Sequence, residues 1–201
     1  MTTPSAHERL KIATSPLHRV LDHSPMLRPL LSKELTLPQY TDILTLMRQW
    51  YCLNEIFILQ SLSTKHTPYS LDPRCKLQFI DHDLRVLNRT IYVDNHTAPM
   101  ISLDNSYQAL GALYVLEGAT QGGRFIARKI AQHFGRDDIT HFFASYGEQL
   151  DERWANFTQH LNQTLMTEDQ IEQAIRGASS VFESMITWFD QHNTTEHRAI
   201  A

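Results

Sequence analysis

Along most of the chain, apolar residues recur every three or four positions, the spacing that gathers them on one face of an α-helix. The clearest case lies near the C-terminus, where seven apolar residues between Ile171 and Phe189 share a face. This spacing predicts six long helices, over residues 4–22, 36–62, 72–87, 110–135, 138–165 and 167–191. A shorter apolar turn or helix is expected over 24–35, and 90–105 is the longest irregular stretch. No alternating strand pattern competes, so the sequence predicts an all-α domain of about seven or eight helices.

The helix predicted over 110–135 contains an unusual number of glycines. Four of the seven in the chain, Gly111, Gly118, Gly122 and Gly123, fall inside it. Glycine in a helix costs about 1 kcal/mol relative to alanine, so the cluster needs a physical reason. One reason is a kink where two core helices pack, and the other is close approach of another surface to the helix backbone. The glycines alone do not choose between these interpretations.

Length, composition and charge narrow the class of protein. A chain of 201 residues, 42% of them hydrophobic, has the size of one domain with its own core. We expect the domain to span residues 1–192 and residues 193–201 to form a disordered tail. A net charge of −4 creates no positive field for nucleic acid, and no apolar run is long enough for a membrane helix. The N-terminus lacks the apolar core of a secretory signal, and the two cysteines suit a reducing compartment, so we expect a cytoplasmic protein.

One histidine has surroundings that suit a metal ligand. His18 borders the apolar stripe of the first helix, and Asp22 follows one turn later on the same face. A carboxylate beside an imidazole fixes its tautomer and raises the basicity of the other ring nitrogen, which favours metal ligation. The alternative is a core histidine whose ring is satisfied by a neighbour. Pro16 either kinks this helix or begins a new one capped by Ser15.

A second histidine has acidic neighbours on both sides. His82 stands between Asp81 and Asp83, which makes it a candidate ligand. A solvent-exposed histidine on a polar helix face is the more common outcome for such a segment. The sequence therefore favours a surface role for His82 and a site at His18.

One helix carries a histidine on its apolar side, and a second helix has glycines where larger side chains would otherwise stand. Together they indicate a slot for a large, flat, apolar ligand with a central metal. Heme fits that description. The sequence here resembles the heme oxygenases over most of its length. Residues 10–18 resemble the proximal helix of that family and read L-K-I-A-T-S-P-L-H, and residues 116–123 resemble its distal helix and read L-E-G-A-T-Q-G-G. The form Y-V-L-E-G-A-T-x-G-G is most similar to the bacterial enzymes that accompany bacteriophytochromes.

The resemblance implies an all-α fold with heme between the proximal and distal helices. It implies that heme is both cofactor and substrate and is cleaved with O2 and external electrons to biliverdin, Fe2+ and CO. His18 would be the axial iron ligand, with Asp22 bonded to its ring. Gly118, Gly122 and Tyr51 would be further catalytic residues, the glycines controlling sterically which ring edge is attacked. The implied heme-binding residues are His18, Lys11, Tyr114, Gly118, Ala119, Gly122, Gly123, Arg153 and Phe182.

The sequence departs from the family pattern at the distal helix. Much of the family has an aspartate after the first distal glycine, where it organises water that delivers protons, but this chain has Ala119. Ala119 supports a second hypothesis, a heme-binding or heme-carrying protein without turnover. A third hypothesis is a relative of the same fold with other small-molecule chemistry, such as thiamin-pyrimidine salvage. Such a protein does not need both His18 and the distal glycines, which counts against it.

The resemblance also implies protein partners. Electrons would come from a ferredoxin or another reductase system, and Arg124, Arg128 and Lys129 form a small basic patch suited to an acidic donor. A solvated helix face explains the same patch equally well. A bacteriophytochrome is the biliverdin acceptor that the subtype suggests. We expect neither a nucleic-acid partner nor a membrane span.

Overall fold

The computed structural model describes residues 4–63, 74–91 and 98–192, and in these ranges all regular structure is helical. The α-helices are α1 Ala6–Asp22, α2 Leu37–Ser63, α3 Leu77–Val86, α4 Ser106–Phe134, α5 His141–Ala144, α6 Leu150–Thr164 and α7 Glu168–His192. Two 3-10 helices cover Arg28–Leu31 and Gly147–Gln149. The all-α prediction is confirmed. None of the described helices is long and apolar enough to cross a lipid bilayer.

Local signals explain where several helices begin and end. Ser5 and Glu8 form a reciprocal capping box at the start of α1. A capping pair is also present at the start of α2, since the Thr36 amide donates to Gln39 Oε1 at 2.9 Å. Helix α4 ends at Gly135, which adopts the left-handed conformation (φ 67°) that glycine tolerates best. Pro16 neither divides nor ends α1, which runs continuously from Ala6 to Asp22.

Two backbones cross at very short range where α4 packs on α7. A Cβ added to Gly111 would lie 1.8 Å from the carbonyl oxygen of Ala174, and one added to Gly177 would lie 1.9 Å from that of Gln108. Each helix therefore contributes a glycine at the point where the other's backbone passes. This reciprocal crossing of Gly111 and Gly177 fixes α4 on α7, and α7 contributes a continuous apolar face from Ile171 to Phe189 to the core.

One predicted helix is wrong. The sequence predicts a single helix over 138–165, but the structure has α5, a 3-10 turn and α6 instead. Gly147 has a φ of 53°, a left-handed conformation that a continuing α-helix does not contain. The apolar spacing persists through the break because Phe142, Phe143 and Leu150 are buried on both sides of it. The start of the helix predicted at 72, the centre of 90–105 and the tail from 193 lie outside the described residues.

Candidate functional site

Helices α1 and α4 form two walls of a largely apolar cleft of about 550 Å³. Residues from α2, α5, α6 and α7 complete its lining. The predicted site residues that line it are Lys11, His18, Asp22, Tyr51, Tyr114, Gly118, Ala119, Gly122, Gly123 and Phe182. The sequence separates these residues by as many as 171 positions, and the fold brings them to one cavity.

His18 reaches the cleft from the exposed half of α1. Its Nδ1 lies 2.8 Å from Asp22 Oδ2, and 59% of its side chain is exposed. Its ring packs edge-on against Phe182, with 5.7 Å between the ring centroids. Asp22 engages Nδ1, so Nε2 is the nitrogen left for a ligand in the cleft. The imidazole is thus oriented by a carboxylate on one side and an aromatic ring on another.

The four glycines of α4 divide into two pairs with different surroundings. Gly111 and Gly123 are packing glycines, because an added Cβ would lie 1.8 Å from Ala174 O in the first case and 2.7 Å from Phe143 O in the second. Gly118 and Gly122 have more room. Among the described residues, a Cβ at Gly118 would meet the Trp154 ring at 3.7 Å, and one at Gly122 would meet nothing within 4 Å. At these two positions, the space that a side chain would fill belongs to the cleft.

A buried ionic cluster lies directly beneath the glycine pair. Glu117, only 1% exposed, is bonded to Arg74 and accepts hydrogen bonds from Lys76 Nζ at 2.8 Å and from the Tyr146 hydroxyl at 2.7 Å. Burial alone would lower the pKa of Lys76, but Glu117, Tyr146 and Glu55 outweigh it and raise that pKa. Lys76 is therefore a cation inside the protein, and it also lines the cleft.

Two further polar side chains border the cleft near that cluster. Tyr51 is buried, and burial raises the pKa of its hydroxyl well above the ordinary value although nearby Lys76 opposes the shift. Tyr51 is thus a neutral phenol at physiological pH. Gln121 lines the cleft beside Ala119, and its Nε2 is buried with no hydrogen-bond partner among the described residues. An amide of this kind has donor capacity to spare for a water or a ligand.

Aromatic rings close the cleft near the N-terminus of α1. The His7 ring packs edge-on against Tyr114 and Trp154, with centroid distances of 5.9 and 5.5 Å. Burial, with a smaller contribution from Lys11, lowers the pKa of His7 below its ordinary value. This end of the cavity is therefore apolar and favours an uncharged imidazole.

Arg153 is not brought to the cleft. Its guanidinium lies over the Tyr146 ring, 4.7 Å from the centroid, and donates to Gln149 Oε1. The resemblance places Trp154 at this position of α6, and Arg153 is only the basic residue nearest to it; the structure has Trp154, and not Arg153, in the lining of the cleft. Arg19, which the sequence analysis passed over, lines the cleft from α1 together with Lys11.

The ionic cluster was missed at the sequence level for a physical reason. Glu117 is separated from Lys76 by 41 residues and from Arg74 by 43. Isolated charges in helical segments are normally exposed, and only the fold pairs these. The available signal was the position of Glu117, which stands in the middle of the apolar run from Leu113 to Gly118.

Comparison with known proteins defines the class of this fold and site. Three solved heme oxygenases share the fold: one from Neisseria meningitidis in NO- and CO-bound forms (22% identity, TM-score 0.75, 94% of this chain and 92% of that one), one from Leptospira interrogans (15%, 0.72, 94% and 100%) and one from Synechocystis in complex with heme (12%, 0.70, 98% and 96%). No curated protein sequence gives a match.

A family model described as heme oxygenase matches residues 76–191, more than half of the chain. The chain belongs to the heme oxygenase family. The matched range includes Gly118 and Gly122 but stops short of α1, so the family match does not by itself identify an axial ligand. His18 precedes the matched range, lines the cleft and has Asp22 bonded to its ring.

Proposed function

We propose that this protein is a heme oxygenase that binds heme through His18 and cleaves it with O2 and external electrons to biliverdin, Fe2+ and CO. The observation that carries this proposal is that one cleft is lined by the Asp22-bonded imidazole of His18 and by Gly118 and Gly122, whose missing side chains leave open space. Bound heme supplies both the iron that reduces O2 and the porphyrin ring that is oxidised.

The residues present suit heme on three counts. His18 offers Nε2 because Asp22 holds Nδ1. The space at Gly122 and the van der Waals distance at Gly118 allow a flat ring and a small second ligand to approach the α4 backbone. The buried Nε2 of Gln121 has no partner in the described part of the chain and can donate to a water or oxygen in the cleft.

The protein's contribution is ligation, orientation and exclusion of water. Phe182, Tyr114 and Trp154 supply apolar surface for the ring faces, and Lys11 and Arg19 are bases on α1 that can pair with the propionates. The α4 backbone at Gly118 and Gly122 would limit where a small second ligand lies, which would give steric control over the ring edge that is attacked. Gly123 packs on Phe143 and holds α4 at the required height.

Proton delivery must differ from the pattern with a distal aspartate, because Ala119 carries no proton. Tyr51 and Lys76 line the cleft and both retain their protons, since their pKa values are raised. Groups with raised pKa values donate hydrogen bonds but release protons poorly. We therefore assign Tyr51, Lys76 and Gln121 the task of ordering water in the cleft, and the protons come from solvent through that water. Tyr51→Phe is then expected to slow biliverdin formation without changing the absorption of the ferric heme complex, and an unchanged rate would remove Tyr51 from the pathway.

The direct test is spectroscopic. Purified protein mixed with hemin is expected to give a Soret band, and ascorbate or a ferredoxin with its reductase is expected to replace that band with the absorption of biliverdin. A Soret band that survives reductant and O2 would instead establish a heme carrier, the alternative that Ala119 favours. Absence of any Soret band would eliminate both functions.

We assign donor docking to the basic patch on α4. Arg124 is paired with Asp151 at 3.1 Å, and Lys129 lies over the exposed ring of Phe125, which leaves Arg128 as the exposed cation without either contact. Arg128→Glu should slow ferredoxin-driven turnover and leave ascorbate-driven turnover unchanged. Equal ferredoxin-driven rates in Arg128→Glu and the wild type would indicate that the basic patch is only a solvated helix face. A bacteriophytochrome as product acceptor can be tested by adding its apoprotein and following chromophore incorporation.

A further inference from the structure

Outside the cleft, three potential metal ligands meet where α3 packs against the start of α5. They are His82 and Asp83 on α3 and His141, the first residue of α5. Asp83 Oδ1 lies 3.1 Å from His141 Nδ1 and 3.5 Å from His82 Nδ1. All three ligand atoms lie within 4.8 Å of one another.

One member of this cluster is fixed by the backbone. Asp83 is fully buried and caps α5, accepting hydrogen bonds from the amides of His141 at 3.0 Å and Phe142 at 2.9 Å. This capping role explains why a carboxylate stands at position 83 and why His141 Nδ1 lies beside it. It does not explain His82, whose ring is not needed to cap the helix.

The orientation of His82 is unusual for a surface histidine. Its Nδ1 is buried and has no hydrogen-bond partner among the described residues, although 45% of the side chain is exposed. The ring centroids of His82 and His141 are only 4.0 Å apart, with 51° between their planes. The two rings therefore stand side by side against the same buried carboxylate, that of Asp83.

We propose that His82, Asp83 and His141 form a second metal site, which binds a divalent first-row transition ion such as Zn2+. Bonds of about 2.0–2.1 Å in a tetrahedron separate neighbouring ligand atoms by about 3.3 Å. The two distances from Asp83 Oδ1 already lie on either side of that value. Two imidazoles and one carboxylate suit Zn2+ better than Mg2+ or Ca2+, which prefer oxygen ligands.

The fourth coordination position belongs to water, because 45% of each imidazole side chain is exposed to solvent. An ion there ties α3 to α5. Residues 142 and 143, which follow His141 directly, line the heme cleft. The ion therefore stabilises the wall of the cleft formed by these two phenylalanines, although this site and the heme ligand share no residue.

The test uses metal-free wild-type protein, freed of ions with a chelator, and Zn2+ titrated in a calorimeter. His82→Gln is the informative variant because His82 Nδ1 has no hydrogen-bond partner among the described residues, whereas Asp83 caps α5. Loss of this ligand should weaken Zn2+ binding by at least about tenfold. His23→Gln is the matched control, since His23 is an exposed histidine whose Nδ1 lies 2.7 Å from Arg19 O. The control should bind Zn2+ like the wild type.

Thermal unfolding supplies a second readout that does not involve heme. Zn2+ should raise the Tm of wild-type and His23→Gln protein and leave that of His82→Gln unchanged. Zn2+ binding of equal strength in His82→Gln and wild type would overturn the proposal, as would the absence of any Zn2+ binding to the wild type. Both outcomes are independent of whether the protein degrades heme.

Discussion

Helices α1 and α4 line the same cleft, yet they differ greatly in how many of their residues are buried. Of the 17 residues of α1, only Ala6, Leu10 and Thr14 are buried, and all lie in its first half. The second half, which carries His18, exposes most of its side chains. In α4 an unbroken buried segment runs from Gln108 to Glu117, just before the first glycine that faces the cleft.

The difference indicates that the α4 wall of the cleft is rigid without a ligand, whereas the α1 wall is less firmly held. Helix α4 is fixed by its glycine crossing on α7 and by the ionic cluster around Glu117, so its cleft face exists before anything binds. The half of α1 that presents His18 has no buried residue beyond Thr14. Substitutions in α4 should therefore change the stability of the protein, whereas substitutions at the exposed end of α1 should change the properties of bound heme.

The largest effect is expected from His18→Ala. Removal of the imidazole should abolish axial ligation and change the ferric heme spectrum, while the circular dichroism of the heme-free protein stays the same. His23→Ala is the control, because His23 follows the last residue of α1 and is not among the residues that line the cleft. A variant at position 18 with the wild-type ferric spectrum would refute the assignment of the ligand.

The ionic cluster of α4 should dominate stability. Glu117→Gln leaves Lys76 buried without its carboxylate partner, which is expected to lower the free energy of unfolding by about 3–5 kcal/mol. Asp151→Asn, which breaks the exposed pair with Arg124, should cost no more than about 1 kcal/mol. Urea unfolding of both variants measures the contrast. Equal losses would show that the burial of Glu117 has no energetic consequence.

The two kinds of glycine should respond to alanine with opposite signs. Gly111→Ala forces a methyl against Ala174 O and should destabilise the heme-free protein by about 1–3 kcal/mol. Gly122→Ala adds a methyl to open space and removes a poor helix former, so it should stabilise the heme-free protein by up to about 1 kcal/mol.

Heme titrations of the same two glycine variants sharpen the contrast. Gly122→Ala should weaken heme binding or alter its O2 chemistry because the methyl occupies the cleft. If Gly122→Ala instead lost stability like Gly111→Ala, the division of the glycines into packing and cleft-facing pairs would be wrong.

The smallest effect concerns pH and His7, on the half of α1 that is packed. The pKa of His7 is lowered in the folded protein, so between that pKa and the unfolded value near 6.5 the unfolded chain binds more protons. Its contribution to stability is therefore present above about pH 6.5 and is lost as the pH falls through the folded pKa. His7→Gln should flatten the dependence of stability on pH between 5 and 7, measured by urea unfolding. A steeper dependence in the variant would contradict this sign.

Sequence patterns predict those features that are local or repeat along a helix. The helical stripes, the caps at Thr36 and Gly135 and the conjunction of His18 with a glycine-rich helix all belong to this class. The interruption at Gly147 was not predictable from spacing, because buried residues continue at helical intervals across it. The start of α5 depends on Asp83, a contact 58 residues away in the chain.

The ionic cluster and the place of Arg153 show the same limit at the site. Whether Glu117 is solvated or buried depends on Lys76 and Tyr146, which reach it only in the folded protein. Arg153 is predicted as a heme-binding residue because it is the basic residue nearest to Trp154, but one position along a helix turns a side chain by about 100°. That single step separates Trp154, which lines the cleft, from Arg153, which does not.

The crossing of α4 on α7 also determines which face of α4 points into the cleft. Seven residues separate Gly111 from Gly118, and eleven separate it from Gly122, so the three lie within about 20° of one line along the helix. The same row therefore touches the α7 backbone at one end and faces the cleft at the other. One residue inserted between Gly111 and Gly118 would turn the cleft-facing pair aside by about 100° while the crossing stayed in place. The contact between α4 and α7 and the space for a ligand at Gly118 and Gly122 therefore depend on the same spacing of glycines along α4.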